Sequence, residues 1–325
     1  MKHPRLQPRL VFKLLTLWMT LFGVVALVNP QRVLLAKPRD RRFTNGSSAV
    51  GIPLVFTAKG HMFVRVRVNN SLPLLFGLDS GFEQTAITTK QAKALNLKTY
   101  GDTKASGVGE GESDISFARN VSFDLPGVNF RLREIGVLEL NFPSPLPDEP
   151  IAGILGYDFI SQFVVSINFV DNSMDLYGPR TYRYGGHGDI LPMKTIDNYP
   201  TIPATISLPG LPPFTAQLVI DTGAETGIFF NSPFVKRHKL LDSKQETKEA
   251  GMLGIGGTSR IRIGRADSIR LGRTVISNPV VHFSIASKGE AADAITAGQI
   301  SNEMLRHFKT VIFDAARRRL VLEAR

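Results

Sequence analysis

The chain has 325 residues, 43% hydrophobic and 21% charged, with 29 glycines and 20 prolines, which is enough to bury one large or two medium cores and turn-rich enough to favour strands over helices. The formal charge of +11 is partly local: Lys2, Arg5, Arg9, Lys13 and Arg32 fall in the first 36 residues, which carry no acid, and the remaining basic residues form no aromatic-interleaved stripe of the kind that binds nucleic acid. No cysteine is present, which excludes disulfides, thiol catalysis, thiolate metal sites and a lipid-bearing cysteine anchor.

Residues 1–36 read as an export segment, a basic flank followed by an apolar core over 14–28 that is short for a membrane span. Cleavage after Ala36 would release the rest. Leu34 is large for the position three before that cut, so an uncleaved membrane tether through 14–28 is the alternative. An exported chain without cysteine fits a bacterial periplasm, cell envelope or extracellular setting. Residues 37–50 are basic, then rich in glycine and serine, and read as a mobile linker.

The first domain is expected over 51–178. Residues 61–68 alternate apolar and polar side chains, the pattern of a half-exposed strand. An Asn69-Asn70-Ser71 turn follows, and the next apolar run, Leu75-Phe76-Gly77-Leu78, ends in Asp79-Ser80-Gly81. A helix over 89–97 is capped by Thr88 or Thr89. A glycine-rich stretch, Gly107-Val108-Gly109-Glu110-Gly111, short strands up to 140 and a proline-rich loop over 142–150 come next. The segment Gly153-Ile154-Leu155-Gly156 leads into a short helix at 157–162, and a hairpin turning at Asp171-Asn172 closes the domain.

After a linker at 179–189, residues 190–325 repeat this order about 140 residues further on. Leu218-Val219-Ile220 ends in Asp221-Thr222-Gly223. Ser232-Pro233 opens a helix, with Ser232 as the expected N-cap. Gly254-Ile255-Gly256-Gly257 answers the first glycine-rich stretch. Gly298-Gln299-Ile300-Ser301 precedes a second short helix, and a hairpin again ends the domain.

A carboxylate at the end of a buried apolar run is costly unless it is paired, and two copies of the pattern suggest that each half presents its Asp to the other. Two adjacent carboxyls share one proton, so that one activates water while the other donates to a carbonyl oxygen, with no metal or covalent intermediate. Ser80 and Thr222 are placed to hydrogen-bond across the halves, Gly81 and Gly223 to allow the close turn, and 107–111 and 254–258 to form hairpin tips over a substrate. Glu83 and Glu225 follow at equal spacing and read as solvated turn residues, the alternative being contacts to a substrate at the cleft edge. The six histidines (His3, His61, His187, His238, His282, His307) lack metal-ligand spacing and read as surface or structural residues. Neither glycine-rich stretch completes a phosphate-loop motif, and there is no Gly-x-Ser-x-Gly nucleophile elbow.

On these motifs both repeats resemble the retropepsin-like aspartic proteases. The resemblance implies an all-β fold of two tandem closed β-barrel domains, each with one or two short helices, joined as a pepsin-like pseudo-dimer in a monomeric chain. It implies Asp79 and Asp221 as the catalytic pair, with Ser80, Gly81, Thr222 and Gly223 as support. Gly107, Val108 and Gly109 would form one flap and Gly254, Ile255, Gly256 and Gly257 the other. The substrate would be an extended peptide with apolar side chains flanking the cut, lodged against Ile87, Val108, Ile228 and Ile255, and no cofactor is implied. Two departures stand out. Phe82 is bulky where a small residue is usual, and Ser301 replaces a glycine. Phe82 keeps open the alternative of a non-catalytic envelope module on the same fold.

Overall fold

The computed structural model describes residues 41–325 apart from 59, 141–143, 145 and 147. The segment expected to direct export and part of the proline-rich loop therefore lie outside the described residues. Strands dominate, and the helices are short: Thr89–Ala94, Tyr157–Ile160, Ser232–Arg237 and Asn302–Leu305.

The repeat seen in the sequence is a repeat of strand pairing. In the first half, Leu74–Leu78 runs parallel to Ile151–Leu155, which pairs antiparallel with Ala86–Thr88, itself parallel to Val128–Leu138. In the second half, Phe214–Asp221 runs parallel to Gly298–Ser301, which pairs antiparallel with Ile228–Phe230, itself parallel to Val280–Ser284. Strands buried on both faces read as continuous apolar runs, which is why the ends that lead into the two Asp residues, Leu75-Phe76-Gly77-Leu78 and Leu218-Val219-Ile220, carry no polar side chains. The alternation at Met62–Val68 appears as a strand whose Arg65 and Arg67 face solvent while Val64, Val66 and Val68 are buried.

Two-residue turns with both residues at positive φ match the twist of paired strands and favour Asn. Asn69 and Asn70 (φ 46° and 65°) form one such turn, and Asp197 and Asn198 (φ 49° and 66°) another. Thr88 is the N-cap of the first helix and accepts from the Gln91 N–H. The expected Ser232 cap is displaced by one residue. Asn231 holds the N-cap position while its side chain donates to Thr296, and the Ser232 hydroxyl donates to the Ala286 carbonyl (2.7 Å).

The halves interlock through one shared sheet. Asp189–Pro192, Arg319–Ala324 and Phe308–Asp314 from the second half continue into Val164–Asn168, Ser173–Tyr177 and Ser48–Phe56 from the first. The seam is the antiparallel pair Val164–Asn168 with Phe308–Asp314. Part of the stretch expected to be a mobile linker is consequently ordered. Ser48–Phe56 pairs with Ser173–Tyr177, and Arg41–Phe43 pairs with Val128–Leu138, with Phe43 against Phe163 (ring centroids 6.0 Å apart). These partners lie far along the chain, so the local composition does not reveal them.

Asp314, fully buried at the end of the seam strand, accepts from Arg319 Nε (2.9 Å) and from Arg317 Nη1 (3.2 Å). Arg317 also donates to the Pro179 and Tyr182 carbonyls (2.9 and 3.0 Å), fastening the inter-half connection. Removing one partner of a buried ion pair strands the other. Both arginines keep some exposure, so Asp314→Ala is expected to lower stability by about 2–4 kcal/mol, measured as a shift in the urea unfolding midpoint.

Candidate active site

The two Asp-hydroxyl-Gly loops meet where the halves face each other. Ser80 and Thr222 are both wholly buried, and their hydroxyls are used reciprocally. The Ser80 N–H donates to Thr222 Oγ1 (2.9 Å), and the Thr222 N–H donates to Ser80 Oγ (3.1 Å). Each hydroxyl then donates to the strand that carries the other, Ser80 Oγ to the Ile220 carbonyl (2.6 Å) and Thr222 Oγ1 to the Leu78 carbonyl (3.0 Å). Four bonds thus fix the two strand ends against each other. Asn302 adds a brace, donating to the Thr222 and Gly60 carbonyls.

This frame brings Asp79 and Asp221 into direct hydrogen bonding. Asp79 Oδ1 accepts from the Gly81 N–H (2.8 Å) and Asp221 Oδ1 from the Gly223 N–H (2.9 Å). Both glycines are dictated by space. A Cβ on Gly223 would stand 2.1 Å from Asp79 Oδ2, and one on Gly81 would stand 2.5 Å from Asp221 Cγ. Burial raises both carboxyls above the ordinary range. For Asp221 the neighbouring Asp79 charge pushes further in the same direction, to well above that range, whereas the Gly81 N–H and the Asp221 hydrogen bond moderate the rise at Asp79. The pair titrates as a unit and shares one proton.

Hairpins from both halves reach this region. The first joins Thr99–Ser106 to Glu112–Leu125, and the second joins Lys248–Gly254 to Gly257–Arg265. Their tips bond to each other: the Gly109 N–H donates to the Ile255 carbonyl (2.9 Å) and the Gly111 N–H to the Gly256 carbonyl (2.8 Å). A Cβ on Gly109 would lie 2.3 Å from the Gly256 carbonyl carbon, and Gly256 and Gly257 sit at positive φ (83° and 100°). Gly107, through its carbonyl, accepts from the Glu290 N–H (3.0 Å). The tips cross over: Val108 packs against Tyr199 and Val219 of the second half, and Ile255 packs against a first-half cluster containing Phe82.

Residues 64–159 match the family model described as aspartyl protease. That segment is similar to the aspartyl protease family. It contains Asp79, the first hairpin tip and Gly153-Ile154-Leu155-Gly156. The Asp221 half lies beyond the match and repeats its strand pairing. Among solved structures the chain is similar to the aspartic proteinase from Irpex lacteus, with 13% identity over 86% of this chain and 97% of that chain and a TM-score of 0.49. No curated protein sequence matches.

The structure corrects several expectations around the Asp pair. Ile87 and Ile228 are fully buried in the main core and do not line a cleft. Ser301, in place of glycine, is accommodated: its hydroxyl accepts from the Gly227 N–H (2.9 Å) and the Glu303 N–H (3.2 Å), capping the short helix. Glu83 and Glu225 are not solvated turn residues, since each reaches across to the other half. Glu83 Oε1 accepts from Asn198 Nδ2 (2.7 Å), and Glu225 Oε2 stands 3.6 Å from His61 Nδ1. His61 is therefore more than a surface or structural residue, and when protonated it favours the ionised form of Asp79. Equal spacing of the two glutamates after their Asp residues, together with the Asp197-Asn198 turn, was the available sequence signal.

Burial pushes the Glu83 carboxyl up to about 7, with Asp197 and Asp158 adding to the rise and the Asn198 bond opposing it. Between the ordinary value of 4.5 and about 7 the folded chain holds a proton that the unfolded chain has lost, so Glu83 makes stability fall as pH rises through that window. Glu83→Gln keeps an acceptor for Asn198 and removes the titration. Relative to the wild type, the variant is expected to gain little below pH 4.5 and about 2 kcal/mol above pH 7, read from urea unfolding midpoints across the range. A gain independent of pH would contradict the assignment.

Proposed function

We propose that the chain is an aspartic endopeptidase in which Asp79 and Asp221, one from each half, act as a single proton-sharing pair. The observation that carries this reading is the buried, mutually hydrogen-bonded pair of carboxyls held by reciprocal hydroxyl bonds. Ionised Asp79 takes a proton from a water while Asp221 donates its proton toward the carbonyl oxygen of the scissile amide. The water oxygen bonds to the carbonyl carbon, giving a tetrahedral diol. The proton held by Asp79 then passes to the amide nitrogen, the C–N bond breaks, and Asp221 recovers its proton from the diol as the new carboxyl forms. Ser80 and Thr222 keep the carboxyls in place, and Gly81 and Gly223 supply N–H groups that hold one oxygen of each.

The substrate is an extended peptide lying between the pair and the tips formed by Gly107, Val108, Gly109, Gly254, Ile255, Gly256 and Gly257. Admission requires the two tips to part, because their bonds to each other close that space. One chain supplies both acids, so a monomer suffices. The basic and apolar order of residues 1–36 supports export to the cell envelope, with 14–28 serving as a tether if it is retained.

Digestion of a peptide library tests the reading. The wild type is expected to cut, and Asp79→Asn and Asp221→Asn are each expected to lose at least about 10²- to 10⁴-fold in kcat/KM. The pH profile should be a bell. It falls at low pH as Asp79 takes up a proton and at high pH as Asp221 loses one, and the high-pH limb lies above the ordinary carboxylate range. Undiminished activity in either variant contradicts the pair mechanism, and absence of turnover from about pH 3 to about pH 8 favours a binding module on the same fold.

A further inference from the structure

We propose that Phe82 breaks the pseudo-twofold symmetry of the cleft, so that the substrate side chain directed toward the Asp79 half beside the cut is small and the one directed toward the Asp221 half is large and aliphatic. The proposal rests on the peptidase reading and specifies its substrate class.

Phe82 and Ala224 hold matching positions, each immediately after Asp-[Ser/Thr]-Gly. Their backbones do the same work: the Phe82 carbonyl accepts from the Tyr157 N–H (2.7 Å), and the Ala224 carbonyl accepts from the Asn302 N–H (3.3 Å), each at the start of a short helix. The side chains differ by an entire aromatic ring. That ring is buried (3% exposed) in a cluster with Ala86, Ala105, Ile115 and Leu138, against which Ile255 packs from the opposite hairpin tip. Floor, wall and roof beside Asp79 therefore belong to one apolar mass. The alanines at 86 and 105 leave the room that the ring fills.

The Asp221 side is built differently. Val108 rests there against Phe229, Ile261 and Ala286 and against Tyr199 and Val219, and Ala224 is only half-buried and stands outside these clusters. Phe82 cannot swing aside freely, because its ring is packed in that cluster while its N–H ties the backbone to the Asp79 carbonyl (3.4 Å). A substrate side chain next to the cut must pass between loop and tip. On the first side it meets the ring, and overfilling a packed site is strongly unfavourable. On the second it meets a methyl group.

The test uses peptides identical except for the two residues flanking the cut. For the wild type, one flanking position should accept Gly, Ala or Ser and lose at least about tenfold in kcat/KM with Leu or Phe, while the other position favours large aliphatic side chains. Phe82→Ala should open the restricted position and leave the other unchanged, Phe82→Leu should open it partly, and Ala224→Phe should narrow the second position. Equal acceptance of Phe at both positions by the wild type, or an unchanged profile in a folded Phe82→Leu protein, overturns the proposal. If the wild type cuts no peptide, the peptidase reading fails, and calorimetric binding of the same peptides decides the size filter separately. At least tenfold tighter binding of the Ala peptide than the Phe peptide, lost in Phe82→Leu, supports it. Equal binding or none overturns it.

Discussion

Two buried hydroxyls, one from each half, hold the two Asp-bearing loops of this molecule together. Ser80 and Thr222 exchange backbone and side-chain hydrogen bonds so that each half satisfies polar groups the other half buries. A single such bond contributes about 1 kcal/mol, but a buried group left without its partner costs about 1–3 kcal/mol. Neither half can meet this requirement alone. The tandem repeat, the shared sheet and the arginine clamp on Asp314 all serve to keep these two loops in register.

Once the strand ends are locked, the rest of the centre follows from crowding and charge. Gly81 and Gly223 are the only residues that fit, because any Cβ would collide with the opposite carboxylate. Two carboxyls pressed together and withdrawn from water cannot both ionise, so one proton stays. The backbone frame is nearly symmetric and the side chains hung on it are not. After one Asp, Glu83 meets Asn198 of the other half, and after the other Asp, Glu225 meets His61. Beside the acids stand Phe82 on one side and Ala224 on the other. A repeated scaffold thus keeps the geometry that chemistry needs and varies what a bound chain would meet.

Much of the centre was legible in the sequence because it is written locally. An apolar run ending in Asp, a hydroxyl residue and glycine is a strand forced to present a carboxylate, and its recurrence in a matching order identifies the second copy. Alternation marked Met62–Val68, and paired positive-φ residues suit the asparagines at 69 and 70. What depends on distant partners was not legible. The strands at Arg41–Phe43 and Ser48–Phe56 exist because Val128–Leu138 and Ser173–Tyr177 complete their ladders. Ile87 and Ile228 look like cleft residues by their nearness to the acids, yet strand alternation turns them into the core. Glu83 and Glu225 look solvated until their partners arrive from the turns of the other half.

The central claim is that Asp79 and Asp221 form one titrating unit that keeps a single proton well above the pH at which free carboxyls lose theirs. Carbon-13 NMR of aspartate carboxyls, assigned by difference from the Asp79→Asn and Asp221→Asn proteins and followed from about pH 3 to about pH 9, measures this directly. The structure predicts two coupled transitions, the second displaced above the ordinary carboxylate range and abolished as a pair effect when either acid becomes Asn. Two independent transitions near the ordinary value, each unaffected by loss of the other residue, would contradict it.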